Sequence, residues 1–451
     1  MTAHTRPGRS SPRALPSPPL EDLACAALFA FFAMQGSIPG IAPAQALEMT
    51  ATAPSTFTTL GGIVTQAAAN GIILLLIFRR PHLVLKRIAA VPWPALLAVL
   101  AVASSVWSLD PMLTLRRSVP FALAGLFGVY FSARFAQPRQ LAILRMTFIV
   151  LAIATIACAL FLPGIGLDHT PGHAADWQGV FTQKNACGRI MVLATAVILF
   201  GERMTFGRAA SLALFLFVLV MSGSRGAWII EAALLLVWVT VRFASRSSPR
   251  VRLVLAVGAP AACLGVAAVA LAVYPRLAPL MGRDPTLSGR TAIWAQVLGS
   301  IARHPWLGYG YDAFWHGMQG PSLTISAAVH FVVVHAHNGF LEIALELGAA
   351  GVLLLVLTGV GAARRLWPLW IRGPIDGIAF PVAVLFMVVL YDLDENTLLL
   401  YNGLFWILCV AALVTIDCAF RDRRHTGACT PHEMLTLQHH RLRRLATRTA
   451  R

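Results

Sequence analysis

Residues 141–162 read LAILRMTFIVLAIATIACALFL, and Arg145 is the only charged residue in this stretch. An α-helix rises about 1.5 Å per residue, so a run of this length crosses the ~30 Å apolar core of a lipid bilayer. We therefore predict a membrane-spanning helix here. Similar apolar runs predict about twelve such helices in all, at 22–40, 60–78, 93–109, 117–135, 141–162, 185–201, 207–223, 226–242, 252–274, 338–362, 376–392 and 397–419.

The composition of the whole chain agrees with this prediction. Of its 451 residues, 57% are hydrophobic and 12% are charged, whereas soluble domains are about half apolar and about a quarter charged. The longest interval of more soluble character runs from Pro275 to Val334. We predict an all-α polytopic membrane protein that folds as one helical bundle with one large loop outside the membrane.

The positive charge of the chain predicts its orientation in the membrane. The net charge is +17, but the basic residues form short clusters between apolar runs without a nucleic-acid motif, so no nucleic-acid partner is predicted. With the N-terminus in the cytoplasm, three quarters of the 36 lysines and arginines fall on the cytoplasmic side, as the positive-inside rule requires. A cleavable signal peptide is an open alternative for the first run.

This orientation divides the chain into five segments. They are a disordered cytoplasmic arm (1–21), helices one to nine (22–274), a periplasmic loop (275–337), helices ten to twelve (338–419) and a basic cytoplasmic tail (420–451) that contacts membrane lipid.

Several cations lie on the predicted periplasmic side, where positive charge is normally depleted. Arg225 occupies a tight turn between two runs, Arg116 and Arg117 follow an Asp-Pro pair, and Lys184 precedes Asn185 at the start of the sixth run. Separate cations at this depth indicate an anionic ligand, such as a pyrophosphate among the lipid headgroups. The alternatives are anchoring of Arg225 to lipid phosphates, snorkelling of Lys184 and helix capping by Asn185.

The periplasmic loop is predicted to contain an amphipathic helix over residues 290–303. Its apolar residues Ile293, Val297 and Ile301 recur every three to four positions. Arg290 then lies in the first turn, where the helix dipole favours anions and a guanidinium adds a bidentate grip on phosphate. A solvated arginine at a helix start is the alternative.

Two histidines, His335 and His337, immediately precede the run at 338–362. Imidazole exchanges a proton near neutral pH, so His337 is the candidate general base and His335 a candidate supporting residue. Capping of the following helix is the alternative for His337. A metal ion on the two histidines is a competing idea, but no third ligand has metal-motif spacing and the seven cysteines form no CxxC pair. We therefore predict no metal and no cofactor.

Two further groups of residues carry open predictions. The acidic turn of Asp392, Asp394 and Glu395 either orients a histidine or a sugar, or is simply solvated. Three tryptophans of the loop are predicted to belong to the aromatic belt at the membrane interface, namely Trp294, Trp306 and Trp315.

Five motifs follow one another between residues 179 and 342. They are Gly-Val-Phe-Thr-Gln-Lys-Asn at 179–185, Ser-Gly-Ser-Arg-Gly at 222–226, Ser-Gly-Arg-x-x-Ile-Trp at 288–294, His-Pro-x-x-Gly-x-Gly at 304–310 and His-x-His-Asn-x-x-Leu-Glu at 335–342. Together they resemble the O-antigen ligase and exopolysaccharide polymerase superfamily. The resemblance implies a metal-independent glycosyltransferase of the bacterial inner membrane, with a glycosyltransferase-C-like bundle and an active site on the periplasmic side.

The resemblance also implies substrates and roles. Members transfer a glycan from undecaprenyl pyrophosphate to an acceptor, and the short tail of this chain favours a glycan or lipid A core over a protein acceptor. Carried over by motif, Arg225 and Arg290 are expected to bind the pyrophosphate and stabilise its departure, and His337 to activate the acceptor hydroxyl. The expected substrate-binding residues are Lys184, Asn185, His335, Asn338, Arg116 and Arg117.

A transporter or flippase for polysaccharide or lipid-linked glycan is the alternative prediction from another class of function. Transporters place their substrate sites near the bilayer midplane, often between internal repeats. This sequence shows no internal repeat and no charged residue convincingly in the middle of a run. We therefore favour the transferase, while the choice between ligase and polymerase stays open.

Overall fold

The computed structural model describes residues 19–38, 56–169, 175–201, 203–258, 290–316, 320–330, 332–373 and 375–427. The predicted arm before Pro19, the predicted ninth span beyond residue 258 and the tail after Gly427 lie outside these residues. The described chain is helical and contains no β-strand.

Fifteen helices are numbered here in chain order. They are α1 (Pro19–Ala33), α2 (Thr56–Arg79), α3 (Pro81–Ile88), α4 (Pro92–Ala103), α5 (Pro111–Arg134), α6 (Gln137–Phe161), α7 (Pro163–Gly166), α8 (Lys184–Leu199), α9 (Phe206–Met221), α10 (Arg225–Arg246), α11 (Arg290–Arg303), α12 (Gly320–Val329), α13 (Gly339–Arg372), α14 (Ala379–Asp394) and α15 (Leu404–Gly427). Residues 249–258 are also helical.

Six helices in the described residues are long and apolar enough to cross a membrane, which confirms an all-α, multi-pass membrane protein. They belong to α2, α5, α6, α10, α13 and α15. The number rises to seven if α3 and the segment Pro92–Val106, which meet at 104°, count as one span. The predicted total of about twelve stays a prediction.

Four of the predicted runs form helices of only 15 or 16 residues, namely α1, α8, α9 and α14. After α1 the chain turns, with Gln35 and Gly36 at positive φ. The last run was predicted to begin at 397, but α15 begins at Leu404. The side chain of Asp392 accepts the backbone N–H groups of Thr397 (2.9 Å) and Leu398 (3.1 Å), which holds this segment outside the helix.

The centre of the bundle is formed by α5, α8 and α15. On α5 and α15, Phe121 and Trp406 stack with ring centroids 4.5 Å apart, and the Trp406 indole donates to the Phe121 carbonyl. Gly128 lets the backbones approach, since a Cβ there would lie 2.5 Å from the Ile407 carbonyl oxygen. Every residue of α8 from Ala186 onward is buried, so its polar side chains face protein groups rather than lipid.

A break at Gly348 divides α13, and the segment Pro305–Gly310 fills it. Gly348 has a φ of 61°, which interrupts the helical backbone. The carbonyls of Leu345 and Glu346 accept the N–H groups of Tyr309 (3.0 Å) and Gly310 (2.9 Å) from the loop. In return, the N–H groups beyond the break donate to loop carbonyls, Ala349 to Pro305 (2.8 Å) and Ala350 to Trp306 (3.1 Å). The loop therefore satisfies the backbone groups that the break leaves free.

The same loop segment is attached to the junction of α4 and α5. The backbone N–H of Leu109 donates to the Tyr309 carbonyl, and the Trp107 indole donates to the Leu307 carbonyl. The His-Pro-x-x-Gly-x-Gly motif thus joins two parts of the bundle by its backbone.

Alanine at Gly308 or Gly348 is expected to lower the midpoint of thermal unfolding in detergent. Both glycines have positive φ, which costs other residues about 1–2 kcal/mol, and a Cβ at either would lie 2.4 Å from backbone atoms across the joint. Gly359→Ala is the matched control, because Gly359 lies in the same helix with nothing within 4 Å of its Cβ position. Equal midpoints for all three variants would contradict this account of the joint.

Candidate functional site

The predicted amphipathic helix over 290–303 is confirmed as α11, which buries Ile293, Val297 and Ser300. Arg290 is its first described residue and points at the end of α14. Its guanidinium forms an ion pair with Asp394, and its Nη2 lies 3.7 Å from Oε1 of Glu395. The arginine at the helix start is therefore held by two carboxylates rather than solvated.

Arg290, His335, His337 and Glu395 form a cluster, and Glu395 is its central residue. Its Oε2 lies 2.9 Å from Nε2 of His335, within hydrogen-bond distance, and 3.5 Å from Nδ1 of His337. The two imidazole rings are 4.0 Å apart between centroids, and His337 has a φ of 50°. Glu395, predicted to lie in a turn that orients a histidine or is solvated, is bonded to His335 and has only 13% of its side chain exposed.

Burial and pairing shift the pKa values in opposite ways at this cluster. Burial by itself raises the pKa of Glu395, but the hydrogen bonds and charges of His335 and His337 outweigh it, so the pKa lies well below the usual 4.5. Burial lowers the pKa of His335 below the usual 6.5, although Glu395 acts in the other direction. Near neutral pH the cluster therefore holds an ionised carboxylate beside a neutral His335.

A buried glutamate on α13 fixes the backbone between the two histidines. Glu342 is 1% exposed, and its Oε2 accepts the backbone N–H of Ala336 at 2.7 Å. Its Oε1 accepts the indole N–H of Trp315, and the Trp294 indole donates to the Ala336 carbonyl at 3.0 Å. The single residue between the histidines is thus held from both sides of its peptide.

These contacts correct the prediction that the loop tryptophans form an interfacial belt. Trp315 is buried and Trp294 is bonded into the loop, because each indole N–H finds an acceptor there. Trp306 alone of the three is largely exposed, at 76%.

Asn338 caps α13, the role that was the alternative for His337. Its side-chain oxygen accepts the N–H groups of Phe340 and Leu341, and its Nδ2 donates to the Leu393 carbonyl at 3.3 Å. Both functional groups of Asn338 are therefore engaged within the protein, and substrate binding by it stays a prediction.

The motif at 222–226 lies beside this cluster. A Cβ on Gly226 would be 3.3 Å from Oδ2 of Asp394, the partner of Arg290. The neighbouring Arg225 begins α10, is exposed and has no ion pair with the described residues. Arg290 thus contacts the turn that carries Asp394, and the distant motif that contains Arg225 lies beside the same turn.

The start of α8 adjoins the same motif. The Ser224 hydroxyl lies 3.0 Å from Oδ1 of Asn185 and donates to it, and the Lys184 ammonium pairs with Asp176 at 2.6 Å. Asn185 is not the helix cap, which is Gln183. Lys184 and Asn185 therefore each have a protein partner, and substrate binding by them stays a prediction.

The two arginines at the start of α5 behave differently. Arg117 pairs with Asp312 (3.1 Å) and donates to the Asp312 carbonyl, which connects α5 to the loop. Arg116 is exposed and belongs to a different side of the helix. The structure gives Arg117 a structural partner and leaves Arg116 available to solvent.

The donor atoms of His335, His337 and Glu395 all lie within 4.8 Å of one another, a grouping that could hold a metal ion. The Arg290 guanidinium, however, lies 3.7 Å from the same carboxylate, and a bound cation there would meet that charge. The Glu395–His335 hydrogen bond already uses two of the three ligands. Glu395 is thus a possible third ligand, which the spacing of residues in the sequence did not reveal.

Two important residues, Glu342 and Glu395, were absent from the predicted site. Glu342 belongs to the motif at 335–342, but the sequence did not reveal that its side chain is buried. Glu395 belonged to the acidic turn, but nothing in its sequence neighbourhood ties it to histidines 58 to 60 residues earlier.

The fold and the cluster define a multi-pass membrane protein with a histidine, carboxylate and arginine site at one end of its helices. A family model described as O-antigen ligase matches residues 210–356, which include α10, α11 and both histidines. The chain is also 28% identical over 357 residues to the exopolysaccharide production protein ExoQ of Rhizobium meliloti (strain 1021), covering 74% of this chain and 80% of that protein. Both matches support an O-antigen ligase or ExoQ-like polymerase family for this chain, and that family implies an enzyme of the glycosyltransferase type.

Replacing Glu342 with glutamine is expected to impair the site despite the similar shape. Its two oxygens each accept an N–H group, and an amide offers an acceptor to only one of them, which leaves the other donor unpaired at a cost of about 1–3 kcal/mol. We expect a lower unfolding midpoint and about 10- to 100-fold slower product formation as His337 moves. Glu231→Gln, a buried glutamate bonded to Thr195, is the control. Wild-type rate and stability in Glu342→Gln would refute this role.

Glu395→Gln is expected to lower the pKa of His335 further, because the lost carboxylate is the group that raises it against burial. The pKa of His335 in the folded protein lies below 6.5, the usual value in an unfolded chain. As the pH drops below about 6.5, the unfolded chain therefore binds a proton before the folded protein does, and the free energy of unfolding falls. NMR titration of selectively labelled histidines in nanodiscs measures the midpoint. Asp394→Asn is the control, and an unchanged or raised midpoint in Glu395→Gln contradicts the prediction.

Proposed function

We propose that this protein transfers a glycan from undecaprenyl pyrophosphate to a hydroxyl of a glycan or lipid A core acceptor, as a ligase or polymerase of cell-surface polysaccharide. The observation that carries the proposal is the convergence of His337, Arg290 and the Arg225-bearing turn on the carboxylates of Asp394 and Glu395. A base and two cations in one place suit attack by a hydroxyl and departure of a pyrophosphate.

His337 is the proposed general base. Its Nδ1 is enclosed and has Glu395 as its nearest acidic neighbour, at 3.5 Å. A neutral imidazole with its proton on Nδ1 directs that N–H towards Glu395 and leaves the Nε2 lone pair for the acceptor. The acceptor oxygen bonds to the anomeric carbon while its proton passes to Nε2. Glu395 stabilises the imidazolium that results.

The cations stabilise the other half of the reaction. As the bond between the anomeric carbon and the pyrophosphate oxygen breaks, negative charge grows on the leaving group, and Arg225 and Arg290 oppose it. Arg225 is exposed and free of carboxylates in the described chain, whereas Arg290 must exchange Asp394 for phosphate. Asp394 suits such an exchange, because 45% of its side chain is exposed.

We propose that this site faces the periplasm across the bacterial inner membrane, in a bundle of about twelve spans. This proposal is supported by cations that were predicted to be cytoplasmic and that form ion pairs with acidic residues of other helices. Arg134 pairs with Glu21 (2.9 Å) and Arg365 with Asp417 (2.9 Å). The positive-inside rule then assigns the other end to the periplasm. Lipid-linked substrates would reach the site from the bilayer.

Metal independence is part of the proposal, and the Arg290 guanidinium, 3.7 Å from Oε1 of Glu395, supports it because its positive charge repels a metal cation nearby. Product formation by purified protein in nanodiscs is expected to survive treatment with EDTA. Loss of activity that one divalent metal restores would instead make His335, His337 and Glu395 a metal site.

The decisive variant is His337→Asn, tested in a strain that lacks its own gene for this protein. Asparagine tolerates the positive φ of His337 but offers no base, so glycan product is expected to fall by about 10²–10⁴-fold at normal protein level. His330→Asn is the matched control, since His330 is an exposed histidine of the same loop, also at positive φ. Unchanged product in His337→Asn would remove the residue from the mechanism.

Gel banding of surface glycan in the deletion strain separates the possible reactions. Loss of long chains with one repeat retained identifies a polymerase, and polymer that remains on undecaprenol identifies a ligase. Donor that accumulates untranslocated on the inner leaflet would favour a flippase and contradict the transferase.

A further inference from the structure

Arg189 is a buried arginine without a carboxylate partner. It lies in the second turn of α8 and is 7% exposed. Among the described residues its side chain has neither an ion pair nor a hydrogen bond, and its guanidinium carbon is 5.9 Å from the centroid of the Tyr391 ring. Buried charges are normally paired, because desolvation is costly.

Its neighbours at this end of the bundle show the usual arrangement. Lys184 pairs with Asp176, Arg117 with Asp312 and Arg290 with Asp394. The buried carboxylate of Asp392 does not form an ion pair with Arg189. Its oxygens accept hydrogen bonds from the N–H and hydroxyl of Thr397 and from the N–H of Leu398. Among the described residues, Arg189 therefore has no carboxylate within ion-pair distance, although its charge acts on Asp392.

Arg189 lines a small, partly open pocket between the end of α1, α8 and the segment before α15. Gln35 and Thr397 are the other polar residues of the lining. The rest is apolar and includes Phe32, Ile190, Leu400 and Phe405. A single cation in an apolar pocket matches a ligand that combines an anionic group with a hydrocarbon chain.

The pocket adjoins the proposed reaction site. Tyr391, which the guanidinium faces, precedes Asp394 and Glu395 by one turn of α14. The charge of Arg189 also acts on His335 and Asp392. An anion on Arg189 would therefore lie close enough to His335 to act on it electrostatically.

We infer that Arg189 binds a phosphate of the lipid-linked donor, with the first isoprenoid units against the apolar wall of this pocket. The guanidinium offers a planar fork of donors that fits phosphate oxygens bidentately. Arg189 lies roughly 8 Å along α8 from Lys184, which places its charge at about the depth of lipid headgroups. This inference rests on the proposed function.

The test measures binding of undecaprenyl pyrophosphate to the full chain in phosphatidylcholine nanodiscs by native mass spectrometry. Arg189→Gln is expected to weaken binding by about 10- to 100-fold, and Arg189→Lys by less, because lysine keeps the charge and loses the fork. Arg303→Gln is the matched control, since Arg303 is exposed and bonds only Ser300 in its own helix. Wild-type affinity in Arg189→Gln overturns the inference.

A membrane phospholipid could supply the same phosphate chemistry, so a second arm titrates phosphatidylglycerol. If Arg189→Gln loses phosphatidylglycerol and keeps undecaprenyl pyrophosphate, the pocket holds a structural lipid and the inference is wrong. Should Arg189→Gln fail to give a monodisperse protein, Arg189→Lys decides, and unchanged donor affinity in that variant also overturns it.

Failure of this inference is distinguishable from failure of the proposed function. His337→Asn is expected to bind undecaprenyl pyrophosphate normally while forming about 10²–10⁴-fold less product. If the wild-type protein does not bind the donor, the proposed function itself falls. If it binds and Arg189→Gln binds equally well, only the role of Arg189 falls.

Discussion

Backbone hydrogen bonding at the break in α13 is the constraint on which the rest of the structure depends. Within an apolar bilayer every backbone N–H and C=O group needs a partner, and a helix broken at Gly348 leaves several without one. The segment Pro305–Gly310 supplies them by exchanging four backbone hydrogen bonds with α13. Because the same segment is bonded to the junction of α4 and α5, the break fixes the large loop to the bundle.

Two buried carboxylates fix the histidine segment relative to the bundle. Glu342 lies six residues before Gly348 and holds the peptide at Ala336, while Glu395, directly after α14, holds the His335 ring. A carboxylate suits both places because its two oxygens accept several donors at once, and a buried donor without an acceptor is costly. The position of His337 is therefore a consequence of contacts made by its neighbours along the chain.

The cations at this end of the molecule fall into three physical states. Arg117 and Lys184 are paired with carboxylates, which makes them part of the scaffold as much as of any binding surface. Arg290 is paired with the partly exposed Asp394, and Arg225 is exposed. Arg189 is buried without a carboxylate, and a ligand would complete its environment. Residue type and position in the chain did not distinguish these states, since pairing depends on partners from other helices.

The amino-acid sequence by itself determined the helical membrane class, the helix over 290–303 and the motif segments that carry His337, Arg225 and Arg290. These follow from local periodicity, hydropathy and motif resemblance, which act over a few neighbouring residues. Only the tertiary structure decided that Glu395 meets the histidines, that the loop tryptophans donate inward and that α15 begins at Leu404. Each of these outcomes depends on hydrogen bonds or buried contacts whose partners sequence periodicity does not reveal.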